Sequence, residues 1–401
     1  MSISILSTQE QVLMLGEYLS QKYEFRHNVL SNVFEVRDIE TDNASFRPFT
    51  REAMNSISKR VKQDGLEVAN LRQNIEEHVY SEETPKYDPV GEFLVALPQW
   101  DGHNHMGDLF GRIPGVTTEQ QYFMSVWMRS MVAHWMGKDM LHGNECVVTL
   151  IGAQGCGKST WCARLLPASL RNYYLDHINL GNKFDKEMAL ANNLLVNLDE
   201  LDQIKPGQHA QLKQALSKAM VNGRPIYGRE QNCRRRYASF VSTTNNVHPL
   251  SDRTGNRRYL CVQVPDGELI DNDSPIDYEQ LYAQVVHELE VSNMRFWFTN
   301  EEVKRIEALN LDYQFIPDLE SMLDYCFRAP REGEQVKPIV AKDIVEMIAS
   351  EFPTVKVNMS TSVKVGRILK MRHFEGKPMT HGHAYFVVPR RAIKMKKGGD
   401  A

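Results

Sequence analysis

Gly152-Ala153-Gln154-Gly155-Cys156-Gly157-Lys158-Ser159-Thr160 stands directly after the apolar run Cys146–Ile151 and directly before an amphipathic stretch that begins at Trp161. Strand, glycine loop and helix in that order are the context a phosphate-binding P-loop requires. Gly152, Gly155 and Gly157 let the backbone curl so that successive N–H groups face phosphate oxygens, and the following helix adds its positive N-terminal end. Lys158 is placed to reach the β- and γ-phosphates, and Ser159 to bind Mg²⁺ through its hydroxyl. The expected ligands are ATP and Mg²⁺, held by Gly152, Gly155, Cys156, Gly157, Lys158, Ser159 and Thr160.

Working outward, a chain of 401 residues with 42% apolar and 24% charged residues is long enough for two or three domains with a real core. No secretory leader and no bilayer-length apolar stretch is apparent, so a soluble, cytoplasmic protein without membrane contact is expected. Six cysteines without a C-x-x-C pair argue against a zinc ribbon or a disulfide framework. The net charge of −4 is unevenly spread. From Pro353 to Lys397, basic residues including Lys364, Arg367, Lys370 and Arg372 face Glu375 as the only acid, a footprint that suits a polyanion.

From Cys146 to about Val264, β-like runs (CVVTLI, NNLLVNLD, ASFVSTTN, YLCVQV) alternate with helical or loop segments, which predicts a parallel sheet between helices. Residues 1–86 read as a small mixed α+β domain, with helical patterns at Gln9 to Tyr23 and Arg51 to Lys62 and alternation at Val33 to Arg37. Residues 87–145 are a helical lead-in, with a buried helix at Glu119 to Met136. Residues 146–300 form the nucleotide-binding core. Residues 301–401 form a helical linker and a basic end that reads helix, helix at Ser360 to Met371, and hairpin at Lys377 to Val388, the order of a winged helix-turn-helix.

The second half of the nucleotide site is the apolar strand that ends in Asp199 and Glu200. Asp199 at the strand tip is placed to hold Mg²⁺, and Glu200 to polarise the attacking water, which favours hydrolysis over storage. Asn245, at the tip of the strand Phe240 to Thr244, can orient that water. Arg257 and Arg258 precede the last strand. A guanidinium supplied by a neighbouring subunit stabilises the charge that grows on the γ-phosphoryl oxygens. Arg229, Arg234, Arg235 and Arg236 cluster around a turn in RPIYGREQNCRRRY. That segment reads as a hairpin that projects cations along a nucleic-acid backbone, or as one that packs on a neighbouring subunit.

With GAQGCGKST, NLLVNLDELD, STTNN and TGNRRY in this order and spacing, the chain resembles the virulence-associated protein E family, from roughly Tyr87, where YDPVGEFLVALPQWDG begins, to about Val264. That family lies in the superfamily 3-like helicase branch of the AAA+ ATPases of phages and mobile elements. The resemblance implies an AAA+ core with Walker A at Gly152–Thr160, Walker B at Asp199 and Glu200, sensor 1 at Asn245, and a trans-acting arginine at Arg257 or Arg258. It also implies single-stranded or forked DNA as partner, a homo-oligomer in the form of a hexameric ring, and a separate primase, since the N-terminal segment lacks the acidic and histidine clusters of one. The expected function is an ATP-hydrolysing, DNA-directed motor, helicase or replication-initiation ATPase. The alternative is a nucleotide-gated assembly switch that binds a protein partner without strand separation. His103 with His105, and His381 with His383, alternate as if facing one side, but no third and fourth ligand is apparent, so metal is expected at neither pair. The second pair is expected to meet phosphates at the tip of the wing.

Overall fold

The computed structural model of the chain describes residues 7–42, 44–201, 204, 206–223, 232–251, 255–314, 318–331, 333–379 and 382–390. Two units divide it, Met1–Gln314 and Phe315–Ala401.

The first unit begins with α1 (Thr8–Lys22), opened by a capping box in which the Ser7 hydroxyl accepts from the Glu10 N–H and the Glu10 carboxylate accepts from the Ser7 N–H. Four strands follow in the spatial order β3-β2-β1-β4: β1 (Tyr23–Asn28), β2 (Val33–Asp38), β3 (Arg47–Pro48) and β4 (Lys86–Tyr87). Helices α2 (Arg51–Gln63) and α3 (Leu71–Val79) lie between β3 and β4 in the chain. Leu15, Leu19, Phe25, Val36, Ile57 and Ile75 form the core of this part. Tyr23, expected as the last helical residue, instead opens β1, because Tyr23 and Phe25 alternate into the core while Glu24 stays exposed.

Then come α4 (Pro89–Val95), α5 (His105–Gly111), α6 (Thr118–Trp135), β5 (Val147–Ile151), α7 (Lys158–Ala163), β6 (Tyr174–Leu175), α8 (Lys183–Asn192), β7 (Leu195–Asp199), α9 (Pro206–Ser217), the hairpin strands β8 (Met220–Gly223) and β9 (Asn232–Arg235), β10 (Ser239–Thr244), β11 (Tyr259–Gln263), α10 (Tyr278–Glu290) and α11 (Asn300–Leu309). Five of these strands form the central sheet, ordered β11-β5-β10-β7-β6, and every neighbouring pair is parallel. Its strands are buried on both sides, which is why they read as near-continuous apolar runs. Alternate residues go to opposite faces. Val148, Leu150, Leu260 and Val262 join Phe110, Trp127, Trp135 and Tyr282 of α5, α6 and α10, while Val147, Ile151, Phe240 and Cys261 join Leu190 and Leu212 of α8 and α9. The four strands expected from the sequence are present, and the short edge strand β6 joins them.

Helix α6 carries much of one face. Thr117 and Gln120 form its capping box, and Gly137, at φ +71°, ends it. Trp127 Nε1 donates to the Cys146 carbonyl at 3.1 Å, and Trp135 stacks on Tyr282 at 5.5 Å, so the helix is tied to both β5 and α10.

The second unit contains α12 (Leu319–Cys326), β12 (Phe327–Arg328), β13 (Ile339–Val340), α13 (Ala341–Glu351), α14 (Met359–Met371), β14 (Gly376–Met379), β15 (Gly382–Tyr385) and β16 (Val388–Pro389). Strands β13, β15 and β14 make an antiparallel sheet in that order, against which Ile344, Ile348, Val365 and Leu369 pack with Tyr385. The two helices and the hairpin expected in the basic end are present as α13, α14 and β14–β15, with β13 as a third strand. Among the described residues, no helix is long and apolar enough to cross a membrane.

Candidate functional site

All five central strands point the same way, so the loops after β5, β7 and β10 emerge at one edge of the sheet. That is the edge where open α/β sheets bind ligands. The glycine loop follows β5, Asp199 ends β7, and Asn245 follows β10. Asp199 pairs in register with Thr243, and Thr244 pairs with Ile151, so the acid lies two strand spacings, roughly 10 Å, from the base of the loop.

Two glycines of the loop have positive φ, Gly155 at +84° and Gly157 at +94°. At Gly157 the conformation demands glycine, and a Cβ would also displace the Asn272 amide, 2.4 Å away, which donates to the Gly157 carbonyl at 3.0 Å. Cys156 turns its side chain inward, and its carbonyl accepts from the Ile270 N–H at 3.0 Å. Gly152 donates to the Thr244 carbonyl at 3.2 Å, which ties the loop to β10. Ser159 and Thr160 are exposed in the first turn of α7.

Lys158 is buried, and its Nζ donates to the Gly152 and Ala153 carbonyls at 2.8 and 2.9 Å and to Asn245 Oδ1 at 2.9 Å. The glycine loop and the Asn245 loop therefore meet at one ammonium. The Thr243 hydroxyl donates to Asp199 Oδ1 at 2.5 Å. Behind it, Asn197 Nδ2 reaches Asp176 Oδ1 at 3.2 Å and Thr243 Oγ1 at 3.5 Å, a polar chain across the sheet. The buried Cys162 thiol is pushed up first by burial and further by the Asp176 and Asp199 carboxylates, with Lys158 opposing. Glu200 is exposed at φ +51°, a left-handed conformation that a non-glycine residue adopts at a cost. With Asp199, His177, Asn179 and Gln208 it lines a cleft of about 300 Å³. Asp176, Asn197 and Thr243 were not singled out from the sequence. The signal was there in Asn197, a polar residue within the otherwise apolar LVNL of β7.

Arg257 and Arg258 occupy the opposite edge. They immediately precede β11, whose first residue pairs with Val147 at the start of β5, so the sheet's length, roughly 16 Å, separates them from the loop of their own chain. Arg258 Nε lies 3.6 Å from Glu145 Oε2, whereas Arg257 is exposed and has no ion pair among the described residues.

The expected nucleic-acid residues divide. Arg229 lies outside the described residues. Arg236 is not a surface cation: it is fully buried and donates to the carbonyls of Ala238, Ala215, Leu216, Lys218 and Asn144, joining α9 and β10 to the segment before β5. Burial lowers its pKa to about 9, which leaves it charged at neutral pH. Arg234 is likewise turned inward, to Asn192 Oδ1 at 2.6 Å and the Leu30 carbonyl at 2.8 Å, and Arg235 donates to the Tyr237 hydroxyl at 2.6 Å. Strand β9 and the residue after it thus use these three cations internally, because each finds an acceptor within reach of a long side chain. Arg372 is exposed but pairs with Glu320 at 2.6 Å and with Asp324. Lys364, Arg367 and Lys370 are exposed at helical spacing on α14.

His381 lies outside the described residues, and His383 is exposed on β15. At the other pair, the local turn into α5 brings up two carboxylates: His103 Nε2 is 2.6 Å from Asp108 Oδ2, and His105 Nε2 is 3.1 Å from Asp101 Oδ1.

The family model for the virulence-associated protein E-like domain matches residues 94–315, more than half of the chain and all five strands of the central sheet. The chain belongs to the virulence-associated protein E-like family. A comparison with curated proteins found no match. Among solved structures, the apo structure of the NrS-1 C-terminal region (305–718) is similar at 10% identity, with 95% of this chain and 99% of that chain covered and a TM-score of 0.43. The A-form apo structure of the same region matches at 11% identity, with 94% and 98% covered and a TM-score of 0.44.

Proposed function

We propose that this virulence-associated protein E-like chain is an ATP-hydrolysing, DNA-directed motor: a P-loop ATPase of AAA+ type that works as a homo-oligomeric ring, hexameric by analogy, in replication of a phage or mobile element. The observation that carries the reading is the shared sheet edge, where Lys158 bridges the glycine loop and Asn245 while Asp199 stands two strands away. Backbone N–H groups of the loop beyond Gly152, whose own N–H is held by Thr244, and the Lys158 ammonium bind the phosphates, with Ser159 and Thr160 at the head of α7. The Ser159 hydroxyl and the Asp199 carboxylate are hard oxygen donors suited to Mg²⁺, which neutralises phosphate charge when bound. Glu200 accepts a proton from the attacking water, and Asn245 orients that water. Lys158, released from Asn245, turns to the γ-phosphate. Arg257 or Arg258 acts on the nucleotide of the next subunit, in keeping with its position across the sheet from its own loop.

The order α12, α13, α14 and hairpin supports a winged-helix-like unit whose α14 cations Lys364, Arg367 and Lys370 lie along DNA. A separate primase would supply primers. The test is the hydrolysis rate with and without single-stranded and forked DNA at low salt. Turnover is expected to rise with DNA and to fall by about a hundredfold or more in Lys158→Ala and Glu200→Gln. Turnover that ignores DNA would end the motor reading, and full activity in Lys158→Ala would end the ATPase reading.

A further inference from the structure

The lead-in segment Asp101-Gly102-His103-Asn104-His105 and the first turn of α5 bring together the one group of metal-ligating side chains found among the described residues. We propose that His103, His105 and Asp108, with Asp101 as fourth ligand, form a site for a divalent transition-metal ion of the zinc type, apart from the proposed nucleotide site.

Ligand atoms of His103, His105 and Asp108 all lie within 4.8 Å of one another, and Asp101, outside that group of three, adjoins it through His105. Each imidazole already faces a carboxylate through Nε2: His103 to Asp108 at 2.6 Å, and His105 to both oxygens of Asp101 at 3.1 and 3.2 Å. Zinc bound at about 2.0–2.1 Å to tetrahedral nitrogen and oxygen ligands puts neighbouring ligand atoms about 3.3 Å apart. The His105–Asp101 contacts match an edge of that tetrahedron, and the other pair needs only to open slightly. Two imidazoles and two carboxylates are also a neutralising set for a dication, and imidazole selects zinc-like metals over magnesium or calcium.

The frame that holds these ligands does not depend on the imidazoles. Trp100 Nε1 donates to the His103 carbonyl at 2.7 Å, the Asp101 N–H donates to Gln280 Oε1 at 3.0 Å, and Asp101 Oδ1 accepts from the His103 N–H at 2.8 Å. Asn104 caps α5 by accepting from the Gly107 N–H at 3.0 Å, and Gln284 of α10 donates to the same Asn104 oxygen at 3.0 Å. Asp101 and Asn104 are thus bonded to α10 and α5, and Trp100 and His103 brace the loop between them, before any ion arrives, which lowers the ordering cost of binding. An ion here would clamp the loop to α5.

The full chain, stripped with a chelator and passed into metal-free buffer, is titrated with Zn²⁺ against a chromophoric zinc indicator, with Co²⁺ absorption as a readout of ligand geometry. One equivalent is expected to bind, to be retained in Cys233→Ser, to weaken by at least about tenfold in Asp108→Asn, and to vanish in His103→Ala/His105→Ala with the fold intact by circular dichroism. The Co²⁺ complex is expected to show the intense visible bands of a four-coordinate site. Equal zinc stoichiometry in wild type and the double variant, loss in Cys233→Ser, or no binding above the indicator in any form would overturn the site. Should the double variant fail to fold, Asp108→Asn and Asp101→Asn decide instead: unchanged affinity in both would sink it.

Discussion

At the scale of single residues, charge and conformation are placed with little slack. Gly157 sits at a φ of +94° that side chains rarely adopt, and a methyl group there would also push the Asn272 amide off the Gly157 carbonyl. Gly157→Ala is expected to weaken nucleotide binding by about tenfold or more while the melting temperature falls only slightly, because the strain stays in the loop. Fluorescent-nucleotide titration beside thermal denaturation checks both halves. Arg236 presents the opposite case, a cation whose work is structural. Arg236→Met would strand several buried carbonyls and is expected to cost about 3 kcal/mol or more of stability, read from urea unfolding. A stable Arg236→Met variant that had lost only DNA affinity would restore the nucleic-acid role that the sequence suggested.

Elements bring pH and salt into the account. His78 on α3 packs edge-on against Phe25 of β1 at 5.8 Å, and burial holds its pKa below the ordinary 6.5, with the Glu83 charge opposing more weakly. A folded-state pKa below the unfolded value means that the unfolded chain takes up the proton first. The stability contributed by neutral His78 is therefore full above about pH 6.5 and declines as pH falls below it, until the folded-state pKa is passed. Urea midpoints from pH 8 to 5 should fall less steeply in His78→Phe than in wild type, and parallel curves would refute the assignment. On α14, Lys364, Arg367 and Lys370 are exposed, whereas Arg372 is paired with Glu320 and Asp324. Changing the first three to alanine is expected to lower the slope of log affinity for DNA against log salt by about three, and Arg372→Ala to leave it nearly unchanged.

At the scale of the whole molecule, the central sheet separates the glycine loop from the arginine pair by its own length. The glycine loop lies at one edge and Arg257 and Arg258 at the other, so an arginine that acts on nucleotide has to act on a neighbour's. The exposed Arg257, without an ion pair among the described residues, is the stronger candidate, since Arg258 leans toward Glu145. Arg257→Ala is expected to slow hydrolysis by roughly a thousandfold or more. Mixing it with Lys158→Ala subunits should restore part of the rate, because each supplies what the other lacks. No recovery on mixing would rule out catalysis between subunits.

Much of this was legible in the chain itself. The parallel core, the glycine loop, the strand tips that carry Asp199 and Asn245, and helices α6, α10 and α11 were readable, while α8 and α9 were not told apart from loop, because periodicity and backbone preference speak only where neighbouring residues carry a clear pattern. What the chain alone did not disclose was where long polar side chains end. Arg236 meets carbonyls on α9 and before β5, Arg234 meets the Leu30 carbonyl more than two hundred positions away, and Arg372 meets acids on α12. A run of arginines looks the same whether its partners are phosphates or its own backbone. His103 and His105 differ, since their carboxylates, Asp108 and Asp101, stand five and four positions away and are brought to the rings by the local turn into α5. Local chemistry followed from residue order, while the partners of charge waited on the packing of distant segments, since a hydrogen bond reaches only about 3 Å and nothing in linear spacing says which groups come that close.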